Sequence, residues 1–382
     1  MASASEALPL AGLCVLDFST LLPGPLAGLL LAEAGARVVK VERPPGGDEM
    51  RGYVPAYGAA SANFALLNRG KSSLCIDLKD PAQRRELIPL LETADVLLEQ
   101  FRPGVMARLG LGFDEVRAIN PRLVYCSITG YGQHGERAAR AGHDLNYLAE
   151  TGLLGLTRGA DGAPVLPPML AADIAGGAWP AVMNILLALR RRDASGRGCH
   201  IDVAMSDNLF TFAYWGLASG FATGQWPRPG AELVTGGSPR YAIYRTADAR
   251  FVAAAPLEDR FWATFCDAIG LPADRRDDGR DPEGVRAAVA ERIAARTAAQ
   301  WQQALSGVDA CASVVASLQE AVADPAFVQR GLFERDVAVG GASIPALPLP
   351  IAAGLRDARR SKPFPELGEH CAQARWQTGD PQ

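Results

Sequence analysis

The stretch CVLDFSTLLPGPLAGLLLAEAGARVVKVE, residues 14–42, decides the fold class. Residues 14–19 are a short apolar run and read as a buried strand. Pro23-Gly24-Pro25 then opens a helix, because proline is preorganised for a first helical turn, and Gly35 closes it. RVVKVE at 37–42 is the next strand. The alternation continues downstream. PAQRRELIPLLETA (81–94) reads as an amphipathic helix started by Pro81, and DVLLEQ (95–100) and RLVYCSI (122–128) read as further apolar strands. Short strands separated by such helices argue for parallel βαβ units in a doubly wound α/β sheet. Ligands of such sheets bind beyond the carboxyl ends of the strands.

From about 144 to 220 the pattern is mostly helical, with one strand at CHIDVAM (199–205). A Pro/Gly-rich stretch after Trp226 reads as a boundary. RYAIYRT and RFVAAA then read as strands, followed by helices near 258–270, 283–306 and 314–323, which describes a smaller α+β domain. The tail from Ser343 is proline-rich yet apolar and is expected to lie extended over a surface.

At about 150 residues per domain, 382 residues allow two or three domains. A net charge of −4 gives no basic footprint for nucleic acid. Unbroken apolar runs fall far short of the ~18 residues of a membrane span, and the first residues lack the basic segment of a secretory signal. The seven cysteines (Cys14, Cys75, Cys126, Cys199, Cys266, Cys311, Cys371) are odd in number, unpaired in spacing and mostly set in apolar runs. Reduced thiols and a cytoplasmic location follow as expectations. Four histidines without metal-ligand spacing predict no metal site.

Several familiar signatures fail. NRGKSS (68–73) ends like a phosphate-binding loop, but Ala65 stands where its first glycine belongs; Arg69 and Lys71 could still hold a phosphate. Gly110 and Gly112 begin a dinucleotide fingerprint that ends in Glu115, and no G-x-S-x-G elbow exists.

Three segments keep chemical groups: GHDLNYLAETG (142–152), MLAADIAGGAW (169–179) and PLEDRFW (256–262). His143 follows a glycine and precedes a helical run, which puts it at a helix N-terminus. Asp173 is flanked by apolar residues, with Gly176-Gly177 beyond. It either caps the following helix, as local sequence favours, or is a functional carboxylate in an apolar site. Glu258 on local sequence alone is a solvated helix-start acid.

These segments sit in order with LDFSTLLPGPLAG (16–28), VVKVERP (38–44), DVLLEQFRPGVMARLGLG (95–112), ITGYGQHG (128–135), GRGCHIDVAMSD (196–207), TGGSPRYAIYRTAD (235–248) and LGEH (367–370). The whole resembles the family III CoA transferases, and within them most closely the α-methylacyl-CoA racemases. The resemblance implies an interlocked homodimer. Its large Rossmann-like domain would comprise both chain ends (1–224 and 331–382), with a small α+β domain over 225–330.

It also implies chemistry on acyl-CoA thioesters with no cofactor beyond the CoA of the substrate. In the racemases, a histidine matching His143 and an aspartate matching Asp173 exchange the α-proton through an enolate. Glu258 matches the acid that orients the histidine, and Asp144 fits beside the site. In the transferases, the same aspartate attacks the thioester and forms an aspartyl-CoA intermediate. A racemase needs two acid/base groups with pKa values near working pH, which favours that reading of GHD.

Backbone N–H groups at or after Asp173 are candidates to stabilise the enolate oxygen. Arg43, Arg69, Lys71, Arg102 and Arg108 lie in matching segments and are candidates for the CoA phosphates. Three departures bear on the acyl group: His134 and Glu136 in GQHGER, Ala249 in a turn often held by glycine, and Arg240. An arginine such as Arg240 could accept a dicarboxylic acyl group, which would suit a transferase.

Overall fold

The computed structural model describes residues 7–58, 60–159, 161–339 and 341–370. Six parallel strands form its main sheet: β1 (Cys14–Asp17), β2 (Arg37–Glu42), β3 (Ser72–Cys75), β4 (Val96–Glu99), β5 (Val124–Thr129) and β6 (His200–Ala204). They lie in the order β3-β2-β1-β4-β5-β6. Leu16 pairs with Val39 and Leu97, and Ser127 pairs with Glu99 and Asp202. The doubly wound arrangement expected from residues 14–42 is therefore present, and its direction reverses between β1 and β4. At that switch a crevice opens outside the carboxyl ends of the strands.

Helices flank the sheet, so its strands are near-continuous apolar runs rather than alternating ones. Helix α1 (Pro23–Glu33) begins at the expected proline and is buried along its whole length. Gly35 follows it at φ +106°, a conformation glycine adopts without steric cost. Helix α2 (Ala62–Asn68) precedes β3. The single helix expected over 81–94 is two pieces, α3 (Pro81–Arg85) and α4 (Ile88–Thr93). Pro89 has no N–H to offer the carbonyl of residue 85, so the helix breaks there. Helices α5 (Val105–Arg108) and α6 (Phe113–Ile119) follow β4. Leu87, Leu90, Leu91, Met106 and Val116 pack with Leu16, Val39, Leu97 and Tyr125 of the sheet.

After β5 come α7 (Asp144–Glu150), a widened π-helical turn over Ala172–Ala178, the helix α8 (Trp179–Ser195) that continues it, and α9 (Met205–Leu209). The continuous stretch Ala172–Ser195 is long and apolar enough, by length and composition, to cross a membrane. Here its Ala172, Ala178, Ala181 and Ile185 are fully buried.

Contacts divide the chain into two units. The first is Met1–Thr151, Pro168–Thr211 and Val328–Gln382, and the second is Gly152–Pro167 with Phe212–Phe327. The second thus takes in 152–167 and 212–224, which the sequence groups with the large domain. The Trp226 segment is not a break. Its indole packs edge-on against Phe221 of α10 (Tyr214–Thr223), and Gly230 N–H donates to the Leu156 carbonyl at 3.2 Å.

Within the first unit the carboxyl-terminal segment is fastened by buried charge. Glu33, at the end of α1, meets Arg335 at 2.6 Å, Arg69 at 3.2 Å and Lys362 at 3.4 Å. A small three-stranded sheet of Asp336–Val339, Ala342–Pro345 and Ser361–Pro363 packs Val337 and Val339 against Ala65 of α2. Cys371 lies outside the described residues; Cys14, Cys126, Cys199, Cys266 and Cys311 are free thiols.

The second unit holds an antiparallel sheet of β7 (Ala242–Arg245), β8 (Phe251–Ala254) and β9 (Ala312–Val314), with β8 central. Helices α11 (Asp259–Ile269), α12 (Pro282–Ala294) and α13 (Ala298–Leu305) supply Trp262, Phe265, Val289 and Trp301 to its core. The helix expected over 283–306 divides where the Thr297 hydroxyl caps α13 by accepting the Gln300 N–H. Ala249 turns the β7–β8 hairpin at φ +61°, so this alanine does occupy a glycine-type position.

Candidate active site

At the switch point of the first unit lies a cavity of about 390 Å3. Its walls come from Leu21 and Pro23 after β1, Gln100–Pro103 after β4, Ile128–Gly130 at the end of β5, and Met205 at the start of α9. His143 and Tyr147 of the α7 region and Asp173 of the π-helical turn face it. A larger cavity of about 550 Å3 beside α1 and α8 has only apolar lining. It carries no acid, base or nucleophile, so the smaller cavity is the chemical one.

His143 takes the N-cap position of α7 in extended backbone, and its N–H donates to Asn146 Oδ1 at 3.0 Å. The side chain is exposed. Asp144, the first residue of α7, is buried, and its Oδ1 accepts the backbone N–H of Asp173 at 2.9 Å. Asp173 does not cap a helix, the alternative that local sequence favours. It lies inside the π-helical turn, a geometry that recurs at functional sites. Burial, then the neighbouring Asp144 carboxylate, push its carboxyl up to about 6, opposed by His143. Asp173's own N–H, expected among the donors to an enolate oxygen, is instead bonded to Asp144, which corrects that expectation.

The glycine pair after Asp173 has a steric reason. A Cβ on Gly176 would come within 2.6 Å of the Met205 carbonyl oxygen. Asn208 of α9 donates its amide to the Gly176 carbonyl at 2.7 Å. The π-helical turn is thus seated directly on the start of α9.

Among the cations expected for CoA phosphates, only Arg102 lines the cavity. Arg43, directly after β2, is exposed and paired with Glu49 at 2.6 Å, and Arg108 is exposed at the end of α5. Arg69 and Lys71 are corrected to a structural role. Arg69 is buried and donates to Glu33, the Leu66 carbonyl and the Leu347 carbonyl. Lys71 is buried with its ammonium on Asp17 at 2.9 Å, Asn68 Oδ1 at 2.9 Å and the Pro25 carbonyl at 2.8 Å. Burial alone would raise the Asp17 carboxyl, but Lys71 and Lys40 hold it below the usual carboxylate range.

Glu258 belongs to the second unit, where it takes the N-cap position of α11. Arg240, considered for a substrate carboxylate, is fully engaged in the same unit. Its guanidinium donates to both oxygens of Asp278 at 2.8 Å, to Asp259 at 2.6 Å and to the Leu257 carbonyl at 3.1 Å. His134 and Glu136 are exposed.

Sequence reasoning missed other parts of the cavity. Tyr147 is buried, donates its hydroxyl to the Gly142 carbonyl at 2.6 Å, and burial with Asp173 nearby pushes it up to about 12. Its spacing, one helical turn after His143, was a usable signal. Arg140 and Gln100 also line the cavity. Leu21 does so at φ +62°, its N–H held by Asp48 at 3.1 Å. Nothing in the sequence marks that strained position.

Residues 10–371 match the model of a family described as CoA-transferase family III. Human alpha-methylacyl-CoA racemase is 34% identical over 372 residues, covering 95% of this chain and 91% of that protein. Acetyl-CoA:oxalate CoA-transferase of Acetobacter aceti is 31% identical over 383 residues, covering 98% and 97%. A CAIB/BAIF family protein from Brucella suis matches with a TM-score of 0.81 at 29% identity, covering 96% of this chain and 98% of that one. Rv3272 from M. tuberculosis matches with a TM-score of 0.81 at 30% identity, covering 95% and 98%.

Proposed function

The chain belongs to CoA-transferase family III, and from that premise we propose that it is an acyl-CoA enzyme that racemises 2-methylacyl-CoA thioesters. It acts as a cytoplasmic homodimer, with coenzyme A entering only as part of the substrate. The observation that carries this reading is that His143 and Asp173 face one cavity at the switch point of the sheet. Inversion at a carbon centre needs one group to take the α-proton and another to return a proton on the opposite side. With its carboxyl pushed up to about 6, Asp173 is basic enough to exchange a proton near neutral pH.

In this reading one of the pair removes the α-proton as the C–H electron pair delocalises onto the thioester oxygen. The other then protonates the enolate carbon. Turnover leaves the two groups with exchanged protonation states, which water resets. Asp144 acts as a positioning residue through the Asp173 backbone. Glu258 orients the histidine, a role that rests on the family resemblance. Arg102, with Arg43 and Arg108, receives the CoA phosphates. Free thiols at Cys14, Cys126, Cys199, Cys266 and Cys311 suit a reducing compartment.

The runner-up is a CoA transferase with Asp173 as nucleophile, and relatives of that activity match over nearly the whole chain. One observation weighs against it: the arginine considered for a dicarboxylic acyl group is already engaged by Asp278 and Asp259.

Incubation with 2-methylacyl-CoA in D₂O, with and without free carboxylic acids, tests the choice by mass spectrometry of the intact esters. Uptake of one deuterium at the α carbon without added acid is expected. New CoA esters only when an acid is supplied, with no deuterium uptake, would make the enzyme a transferase.

A further inference from the structure

A second cluster of titratable groups lies directly beneath the cavity floor. Glu99, the last residue of β4, is 3% exposed. It shares a register row with Ser127 of β5 and Asp202 of β6. The Ser127 hydroxyl is a hydrogen-bond partner of the Glu99 carboxyl and lies 2.9 Å from His200 Nε2. The Ser127 hydroxyl thus stands between the His200 ring and the Glu99 carboxyl. The histidine ring is fixed by stacking on Phe113 at 5.2 Å and by the edge of Tyr125 at 5.3 Å. On its other side, Glu99 Oε2 accepts the backbone N–H of Phe101 at 2.8 Å. Phe101 belongs to the Gln100–Pro103 loop that walls the cavity and presents Arg102.

We propose that Glu99, Ser127 and His200 form a latch that positions the Gln100–Pro103 loop for binding the CoA part of the substrate. The proposal rests on the acyl-CoA reading above, and it assigns positioning rather than catalytic roles. A charged acceptor holds an amide N–H more tightly than a neutral one. The latch is therefore firm when Glu99 is ionised and loose when it is protonated.

Burial foremost pushes Glu99 up to about 7, with Asp202 adding to the rise and Ser127 and the Phe101 N–H opposing it. The titratable groups facing it are Tyr125 and Cys126 on β5 and Asp202 on β6, with His200 beyond Ser127. His200 itself is influenced by Asp202, His134 and Asp114, and burial lowers it below the ordinary histidine value. Loosening therefore belongs to Glu99 and sets in as the pH falls through about 7.

The experiment compares the full-length protein with Glu99→Gln, which keeps the shape and removes the charge, and with Ser127→Ala. Hydrogen exchange at the Phe101 amide is measured first, without substrate. Titration calorimetry with CoA and deuterium wash-in kinetics follow between pH 5.5 and 8.5. In Glu99→Gln the Phe101 amide should exchange about fivefold faster at pH 8. CoA affinity should weaken and KM should rise by a similar factor while kcat stays within about twofold. The rise of KM below pH 7 in the parent should flatten in the variant. Unchanged Phe101 exchange in folded Glu99→Gln, or loss of kcat with KM intact, overturns the latch. A parent that does not bind CoA but whose Phe101 amide responds to Glu99→Gln overturns the acyl-CoA reading and leaves the latch standing.

Discussion

The buried carboxylate of Asp144 accepts the backbone N–H of Asp173 at 2.9 Å, so the candidate catalytic acid is held by a second carboxylate that also raises its pKa. One contact thereby sets both where Asp173 sits and how basic it is. The two effects separate in substitutions. Asp144→Asn keeps an oxygen acceptor and removes the charge, and removing the charge lowers the Asp173 pKa. The acid limb of the deuterium wash-in rate, expected near pH 6 in the parent, should move to lower pH. Asp144→Ala should instead lose turnover, by about tenfold or more, because the seat of Asp173 is gone. A pH–rate profile of both variants checks this.

His143→Ala should reduce α-deuterium exchange by about 10²–10⁴-fold, the usual contribution of a positioned acid/base. Its melting temperature should stay near that of the parent, since the imidazole is exposed. Retained acyl exchange between CoA esters and free acids in this variant would favour the transferase.

Asp173→Asn should abolish turnover yet stabilise the fold, more at pH 8 than at pH 5. The folded carboxyl is raised to about 6, so between its ordinary value and 6 the native state keeps a proton that the unfolded chain has lost. The parent is therefore favoured at acid pH and loses that stability as the pH rises through about 6. Asparagine has no such loss. The gain at pH 8, on the order of 1 kcal/mol after allowance for partial solvent screening, is read from denaturant midpoints.

Lys71→Met and Arg102→Ala should divide cleanly. Losing Lys71 breaks its buried ion pair with Asp17, costing about 3–5 kcal/mol of stability. Losing Arg102 from the cavity wall should raise KM for acyl-CoA several-fold with little change in melting temperature. Thermal unfolding beside steady-state kinetics distinguishes them.

Gly176→Ala places a methyl 2.6 Å from the Met205 carbonyl oxygen, a backbone atom that cannot swing aside. A destabilisation of about 1–3 kcal/mol is expected, together with displacement of Asp173 and loss of exchange activity. Circular-dichroism melting and wash-in rates on one preparation check both.

The doubly wound sheet was legible because its signals are local: apolar runs of strand length, a proline opening α1 and a glycine just beyond it. The helix at 81–94 was misread at Pro89, where periodicity persists although the backbone bond cannot. The helix start at His143 was legible from the glycine before it, whereas Asp173 reads locally as a cap and its place inside the π-helical turn depends on Asp144 and Met205. Arg69 and Lys71 were not distinguishable from phosphate ligands, because burial and pairing with Glu33 and Asp17 arise from contacts 36 and 54 residues away. Arg240 failed for the same reason, its partner Asp278 lying 38 residues on. Sequence shows that a cation is present, whereas only the fold shows whether its charge is already answered.

The cluster at Glu33 has a consequence for how the chain is made. A ribosome that has delivered α1 and the six strands has buried a carboxylate whose partners Arg335 and Lys362 are still to be synthesised. The first unit therefore cannot reach its final charge balance during translation, however early its sheet assembles. Synthesis of the segment that carries Arg335 and Lys362 is what completes this unit's charge balance. A nascent chain stalled before residue 335 should remain a substrate for chaperones, not a finished domain awaiting its tail.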